Sequence, residues 1–285
     1  MCVTIGVPVY NEEKYIENTL LSLVGQDVER IIISDNASTD RTSEICKRYS
    51  LKYSNIEYIR HQCGIAADAN FKFCFDASTT PYFMWCGGHD LLDRDHIKKL
   101  RENINDDIVL CYCDAKHVDV SYNFLYYYHY AFSSYLFNVD PAVRVYAICR
   151  FLTNCTMIHG LFRASALKAA FDNSNIYSNI FLNTDHVMLA FIAFYGKMLH
   201  VPDIYYTRLN PREDESHEER YRRVLKLFKN PGGPATVPWS IYKGQLDIIK
   251  KIPNKFCSSK KYLELARMSL ANQLLPICRK LQGKS

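Results

Sequence analysis

The sequence predicts an α/β protein: a mainly parallel sheet flanked by helices, followed by a C-terminal helical extension. Two observations carry this. Short β-branched runs alternate with stretches of helical period over the first 115 residues, giving the βαβαβαβ order of a parallel sheet. The polar residues gather just behind the strands, where an open parallel sheet forms its ligand site.

Val3 to Val9 is an apolar run, and Tyr15, Ile16, Thr19, Leu20, Leu23 and Val24 then repeat at helical spacing. Ile31 to Ser34 reads as a second buried strand. Asp35 to Asp40 is a polar loop, and Asp40 caps a helix running to about Tyr49. Strands at Ile56 to Arg60 and Tyr82 to Cys86 bracket a helix from Ile65 to Asp76. A helix from Asp93 to Ile104 and a strand from Ile108 to Cys113 follow. From His117 to Phe137 the chain is dense in aromatics and loses its period. The pattern resumes with a helix at Pro141 to Phe151, a short strand at Leu161 to Phe162 and a helix from about Thr184. Beyond it come a charged helix (Ser216 to Lys229), a Pro-Gly-Gly-Pro break at 231–234, and two basic helices near Trp239 to Ile252 and Lys260 to Leu281.

Composition narrows the function classes. With 48% hydrophobic and 23% charged residues in 285, the chain is neither disordered nor fibrous. Its 11 cysteines form no CxxC pair, and several (Cys46, Cys74, Cys86, Cys149) lie in apolar elements, as reduced packing residues do. The first residues enter a strand without a basic leader, so a cytoplasmic protein is expected. Val120 to Val139 carries no formal charge, but Ser121, Asn123, His129 and six tyrosines exclude a membrane span. That aromatic run either offers stacking surfaces for sugar rings or a lipid-linked acceptor, or forms a packed hairpin.

The net charge of +5 is uneven: Lys243 to Ser285 carries +8 and the remainder −3. Nucleic acid is therefore a poor partner for the body of the chain. The basic tail, with Ile248, Ile249, Leu263 and Leu270, either lies on an anionic membrane surface or forms a solvated helical face or dimer contact.

No GxGxxG or GxxxxGK[ST] occurs, so dinucleotide and P-loop sites lose their support. The strand-end loops instead present Pro8, Tyr10, Asn11 and Glu12; Asp35 and Asn36; and Gly87, Gly88, His89 and Asp90. Asp35 can accept the imide N–H of uracil or thymine, and Tyr10 can stack on the ring. Asp90 can hold a divalent cation against a pyrophosphate.

Three segments, "VTIGVPVYNEEKYIENTLLSLVGQ", "IIISDNASTDRT" and "PYFMWCGGHDLLDRDHIKKL", in that order, closely resemble the nucleotide-binding half of glycosyltransferase family 2. "HGLFRASAL" and "NTDHVMLAFIAFYGKMLHVPDIYYTRLN" are a weaker echo. The resemblance implies the GT-A fold, a Rossmann-like sheet. It divides the chain into a nucleotide-sugar half (1–115), an acceptor half of the same domain (116–210) and a basic helical extension (211–285). It further implies that Pro8 and Tyr10 line the base, that Asp35 contacts uracil or thymine, and that Glu12, Asn36, Asn70, His89 and Asp90 complete the donor site. Asp90 would be the metal-binding member of an Asp-X-Asp motif, holding Mn²⁺ or Mg²⁺, and Asp185 the catalytic base.

One departure stands out, because Gly87-Gly88-His89-Asp90 offers a single carboxylate where the family has two or three. Plainer roles compete: Asp35 in an Asx-turn with Ala37, Asp90 as a loop carboxylate, Asp185 as a helix N-terminal residue, and His159, His186 and His200 as structural rings. The expected function is an inverting transfer of a sugar from a UDP or dTDP donor to an acceptor hydroxyl, on a bacterial-type surface glycan or lipid-linked glycan at the inner face of the membrane. The alternative is a nucleotide-sugar-binding protein with decayed catalysis.

Overall fold

A computed structural model describes residues 2–152, 154–174 and 184–210. The expected helices beyond residue 210, the basic tail and the 211–285 extension lie outside these residues. The described chain forms β1 (Val3–Val9), α1 (Ile16–Leu23), β2 (Arg30–Asp35), α2 (Thr42–Lys52), β3 (Ile56–Arg60), α3 (Ala67–Asp76), β4 (Tyr82–Trp85), β5 (Leu91–Leu92) and α4 (His96–Asn103). There follow β6 (Ile108–Val118), β7 (Phe124–Tyr128), α5 (Ser133–Leu136), α6 (Pro141–Phe151), a 3₁₀ turn (Cys155–His159), β8 (Leu161–Arg163), α7 (Ala164–Ser174), α8 (Thr184–Tyr195) and β9 (Lys197–Leu209).

The strands make one mixed sheet in the order β3-β2-β1-β4-β8-β6-β9-β5, with β7 paired to β6 off this path. β1 to β4 are mutually parallel, and so are β6 and β9. The short β8 runs antiparallel to both β4 and β6 and joins the two sets. β1 is buried along its whole length, the mark of a strand covered on both faces. Ile16, Leu20 and Leu23 of α1, Ile45 of α2, and Ile97 and Leu100 of α4 pack on one side of the sheet. Phe75 of α3, Ile148 of α6, Leu167 of α7 and Ile192 of α8 pack on the other, around Phe83, Trp85 and Phe162. Burial of this apolar surface is the dominant favourable term in such a fold.

Several elements differ from expectation for physical reasons. α4 begins at His96, later than expected, because Asp95 takes a left-handed backbone (φ 62°). β6 extends to Val118, so the 115/116 division falls inside a strand. Tyr122 (φ 63°) turns the aromatic run back as β7, whose Phe124, Leu125, Tyr126 and Tyr127 remain exposed. β9 is unannounced in the sequence because Pro202 and Asp203 (φ 61°) interrupt its alternation; the β6–β9 register shifts there, from Tyr112↔His200 to Asp114↔Tyr205. α6 is as expected, with Asp140 capping it by accepting from Ala142 N at 2.8 Å and Pro141 in its first turn. Among the described residues, no helix is long and apolar enough to cross a membrane.

Candidate functional site

The loops leaving β1 and β2 are laced together. Asn11 (φ 55°) donates its N–H to Ser38 Oγ (3.0 Å) and accepts from Thr39 N (2.8 Å), while Glu12 N donates to Thr42 Oγ1 (2.7 Å). This leaves the Tyr10 ring 55% exposed and open for stacking, beside the buried Pro8.

Asp35 ends β2 fully buried. Its Oδ1 accepts Ser38 N (2.9 Å), and its Oδ2 accepts Tyr58 OH (2.7 Å) and faces Arg60 Nε at 3.5 Å. The carboxylate is thus closed within the Asp35–Ser38 turn, not presented openly to a base. Asn36 exchanges two hydrogen bonds with the backbone of Ile65 (2.7 and 2.9 Å), tying the loop after β3 to the site. Asn70 is buried, where it accepts Ser34 Oγ (2.6 Å) and donates to Ser34 O (3.1 Å), so its amide is held under the sheet end.

The loop after β4 folds Asp90 inward, to 2% exposure. Its Oδ2 accepts Tyr206 OH (2.8 Å), and its Oδ1 accepts Leu209 N (3.0 Å). The two preceding glycines make this possible. A Cβ at Gly87 would lie 2.5 Å from Asp90 Oδ2, and one at Gly88 would lie 2.9 Å from Val9 Cγ1. His89 pairs with Glu12, its Nδ1 2.9 Å from Glu12 Oε1. Burial works against the protonated ring, but the Glu12 hydrogen bond and the charges of Asp90 and Glu12 outweigh it and raise the His89 pKa.

β9 supplies the residues that sequence reasoning missed. Tyr206 and Arg208 alternate onto one face, and Arg208 stands opposite His117 in the β6–β9 register. Arg208 donates to Thr156 Oγ1 at 2.9 Å. The Tyr206 ring lies parallel to His159 at 4.4 Å, and His159 Nδ1 is 3.1 Å from Trp85 O. His117 stacks on Tyr126 at 4.4 Å. Burial, with Arg208 acting in the same sense, holds both His117 and His159 down to about 4. The available signal was a lone arginine in the period-two stretch Ile204–Leu209.

Asp185 lies in the first turn of α8 and is exposed. The protein mass around its carboxyl raises its pKa, with Asp68 adding to the rise and Arg208 and the helix backbone opposing it. Arg208 therefore acts on both sides of the site, on His89 and His159 near Asp90 and on Asp185. His200 is a structural partner of Asp114 (2.8 Å), and His186 is buried with its pKa down at about 4.

Among the described residues, the donor set at the β4 loop does not fit a divalent ion. Asp90 brings one buried carboxylate with a protein hydrogen bond on each oxygen, and His89 is committed to Glu12. Among the described residues, no three His, Cys, Asp or Glu side chains gather in a ligating arrangement.

The description "Glycosyl transferase family 2" matches residues 4–171. An abequosyltransferase of Salmonella typhimurium is 31% identical over 122 residues, 41% of this chain and 36% of that protein. The glycosyltransferase GlyA of Streptococcus pneumoniae is 30% identical over 106 residues, 36% of this chain and 15% of that protein. The chain thus matches about a third or less of the length of these curated relatives. Among solved structures, S. aureus TarS 1-349 superposes with a TM-score of 0.57 at 17% identity, covering 100% of this chain and 92% of that one. The mannosyltransferase of Pyrobaculum calidifontis, solved with GDP-Man and Mn²⁺, gives 0.54 at 16% identity, covering 99% and 83%. At these identities the structural likeness speaks for the fold, which is GT-A. With the family description matching more than half of its length, the chain belongs to glycosyl transferase family 2.

Proposed function

We propose that this chain is an inverting glycosyltransferase that moves a sugar from a UDP or dTDP donor to an acceptor hydroxyl during surface polysaccharide or glycan assembly. The observation that carries the reading is Asp185: a solvent-reaching carboxylate in the first turn of α8, near enough to Arg208 of β9 to feel its charge, with Leu209 of the same strand bonded to Asp90 of the β4 loop. A base whose pKa moves toward the working pH is better matched to removing a hydroxyl proton. Family membership supports the transfer, and a related abequosyltransferase supports a glycan context.

In this reading Tyr10 stacks on the base, and Asp35 accepts the imide N–H when the Asp35–Ser38 turn opens. Asp185 takes the proton of the acceptor hydroxyl as that oxygen attacks C1 of the sugar. The exposed aromatics of β7 are the acceptor-side surface, and the basic 211–285 segment brings the protein to the inner face of an anionic membrane. No step passes through a metal ion. The test is turnover of UDP- and dTDP-sugars to the free diphosphate. Wild type is expected to turn over one of them, if only by slow hydrolysis, and Asp185→Asn is not; binding without any turnover in wild type would favour a sugar-nucleotide binding protein.

A further inference from the structure

We propose that Arg208 is the diphosphate-binding residue of this site, its guanidinium supplying the charge that the Gly87–Asp90 loop cannot assign to a divalent ion. The inference rests on the nucleotide-sugar reading above but not on the identity of the base. Three observations carry it.

The first is an imbalance. Arg208 is half-buried, yet among the described residues no carboxylate lies within ion-pairing distance of it, and its one hydrogen bond there is to Thr156 Oγ1. A guanidinium has five N–H donors in a fork that matches phosphate oxygens. None of its nitrogens is buried without a partner among the described residues, so the remaining donors reach solvent and are open to the oxygens of an anion.

The second is preorganisation. Thr156 N donates to Asn154 Oδ1 (2.9 Å), and the Asn154 amide reaches His117 Nε2 (3.3 Å), directly beside Arg208 in the sheet. The arginine stem rises from a paired strand, so little freedom is lost when an anion arrives.

The third is its position. Leu209, the next residue, gives its N–H to Asp90, so both Asp90 oxygens are satisfied by hydrogen bonds within the protein while Arg208 keeps N–H donors to face an incoming charge. Arg208 is close enough to His89, His117, His159 and Asp185 to act on each. In the transfer, the bond from C1 to the diphosphate oxygen breaks with its electron pair staying on that oxygen. The acceptor oxygen forms the new bond and its proton passes to Asp185. The departing negative charge then grows beside Arg208.

The experiment is calorimetric titration of the full chain with UDP, dTDP, GDP, ADP and UMP, each in EDTA and in Mn²⁺. Wild type is expected to bind a nucleoside diphosphate in EDTA within about threefold of its affinity in Mn²⁺. Arg208→Ala should weaken diphosphate binding about 10- to 100-fold, the scale of a charged hydrogen-bond pair, and leave UMP much less affected. Arg208→Lys should recover part of the loss. Thr156→Val, which keeps the charge but frees the side chain, should fall between. Thermal unfolding of the ligand-free variants separates lost folding from lost binding.

Diphosphate binding that needs Mn²⁺ and survives Arg208→Ala would overturn the proposal. So would the absence of diphosphate binding in both buffers. A preference for GDP or ADP, still lost in Arg208→Ala, would leave Arg208 in its role and remove only the uridine or thymidine reading.

Discussion

Tyr206 gives its hydroxyl proton to Asp90 Oδ2 across 2.8 Å, so the last strand of the described chain holds the carboxylate of the β4 loop. The same hydroxyl accepts Gly87 N at 3.1 Å, closing the loop from both ends. Tyr206→Phe keeps the ring on His159 and removes both bonds. Because it leaves a buried carboxylate and a buried N–H each short of a partner, a loss of about 1–3 kcal/mol in unfolding free energy is expected. Urea denaturation measures it; unchanged stability would mean that Asp90 repartners with water.

Asp185→Asn keeps size and hydrogen bonding but cannot take a proton. Transfer should fall by about 10² to 10⁴ while donor affinity stays near that of wild type. Single-turnover rates paired with calorimetry would show the split, and undiminished transfer would remove Asp185 from the mechanism.

Asp35 contacts Tyr58 and Arg60 at the end of β2, and in the proposed reading it selects the base. UDP or dTDP, rather than GDP or ADP, should raise the melting temperature, and Asp35→Ala should abolish the difference. A ligand at a hundred times its Kd contributes about 2.7 kcal/mol, which a thermal-shift assay resolves. Equal shifts with ADP would count against the pyrimidine assignment.

Buried histidines set the acid limit. His159 and His186 sit at about 4 because burial disfavours the charged ring. In the unfolded chain they titrate near 6.5, so between these values the unfolded state binds more protons. Stability is therefore expected to fall as pH drops from about 6.5 to 4 and to level off below, each ring contributing on the order of 3 kcal/mol at the limit. His89, shifted upward, acts in the opposite sense. Urea titrations at pH 7, 6 and 5 test this; His186→Gln should flatten the slope.

The run from β1 to β4 was legible because its signals are local. β1 and β2 are apolar runs buried on both faces, and α1 shows its period in Ile16, Leu20 and Leu23. The loop residues Tyr10, Asp35 and Asp90 could be placed from strand ends alone. What sequence reasoning could not supply was long-range. Tyr206 meets Asp90 across 116 positions, and Arg208 meets Thr156 across 52. Nothing near Asn70 in the chain announces that Ser34 consumes its amide. β9 escaped notice because Pro202 and Asp203 break its alternation, and with it went the strand that carries Arg208.

β8 is three residues long, yet it is the seam between the parallel strands β1 to β4 and the β6–β9 pair. Its chain neighbours reinforce the join, since Ala164 N donates to Pro81 O and a Cβ on Gly160 would lie 2.5 Å from Cys111 O. As the chain emerges from the ribosome, β4 is synthesised some eighty residues before the strand that covers its edge. Until residue 161 arrives, Tyr82 and Phe83 present an open, apolar ladder that another chain can extend. Strands β1 to β4 are therefore not a module that can be cut free: ending the chain near residue 115 would expose this edge and favour aggregation, and completing the sheet waits on residues made some eighty positions after β4.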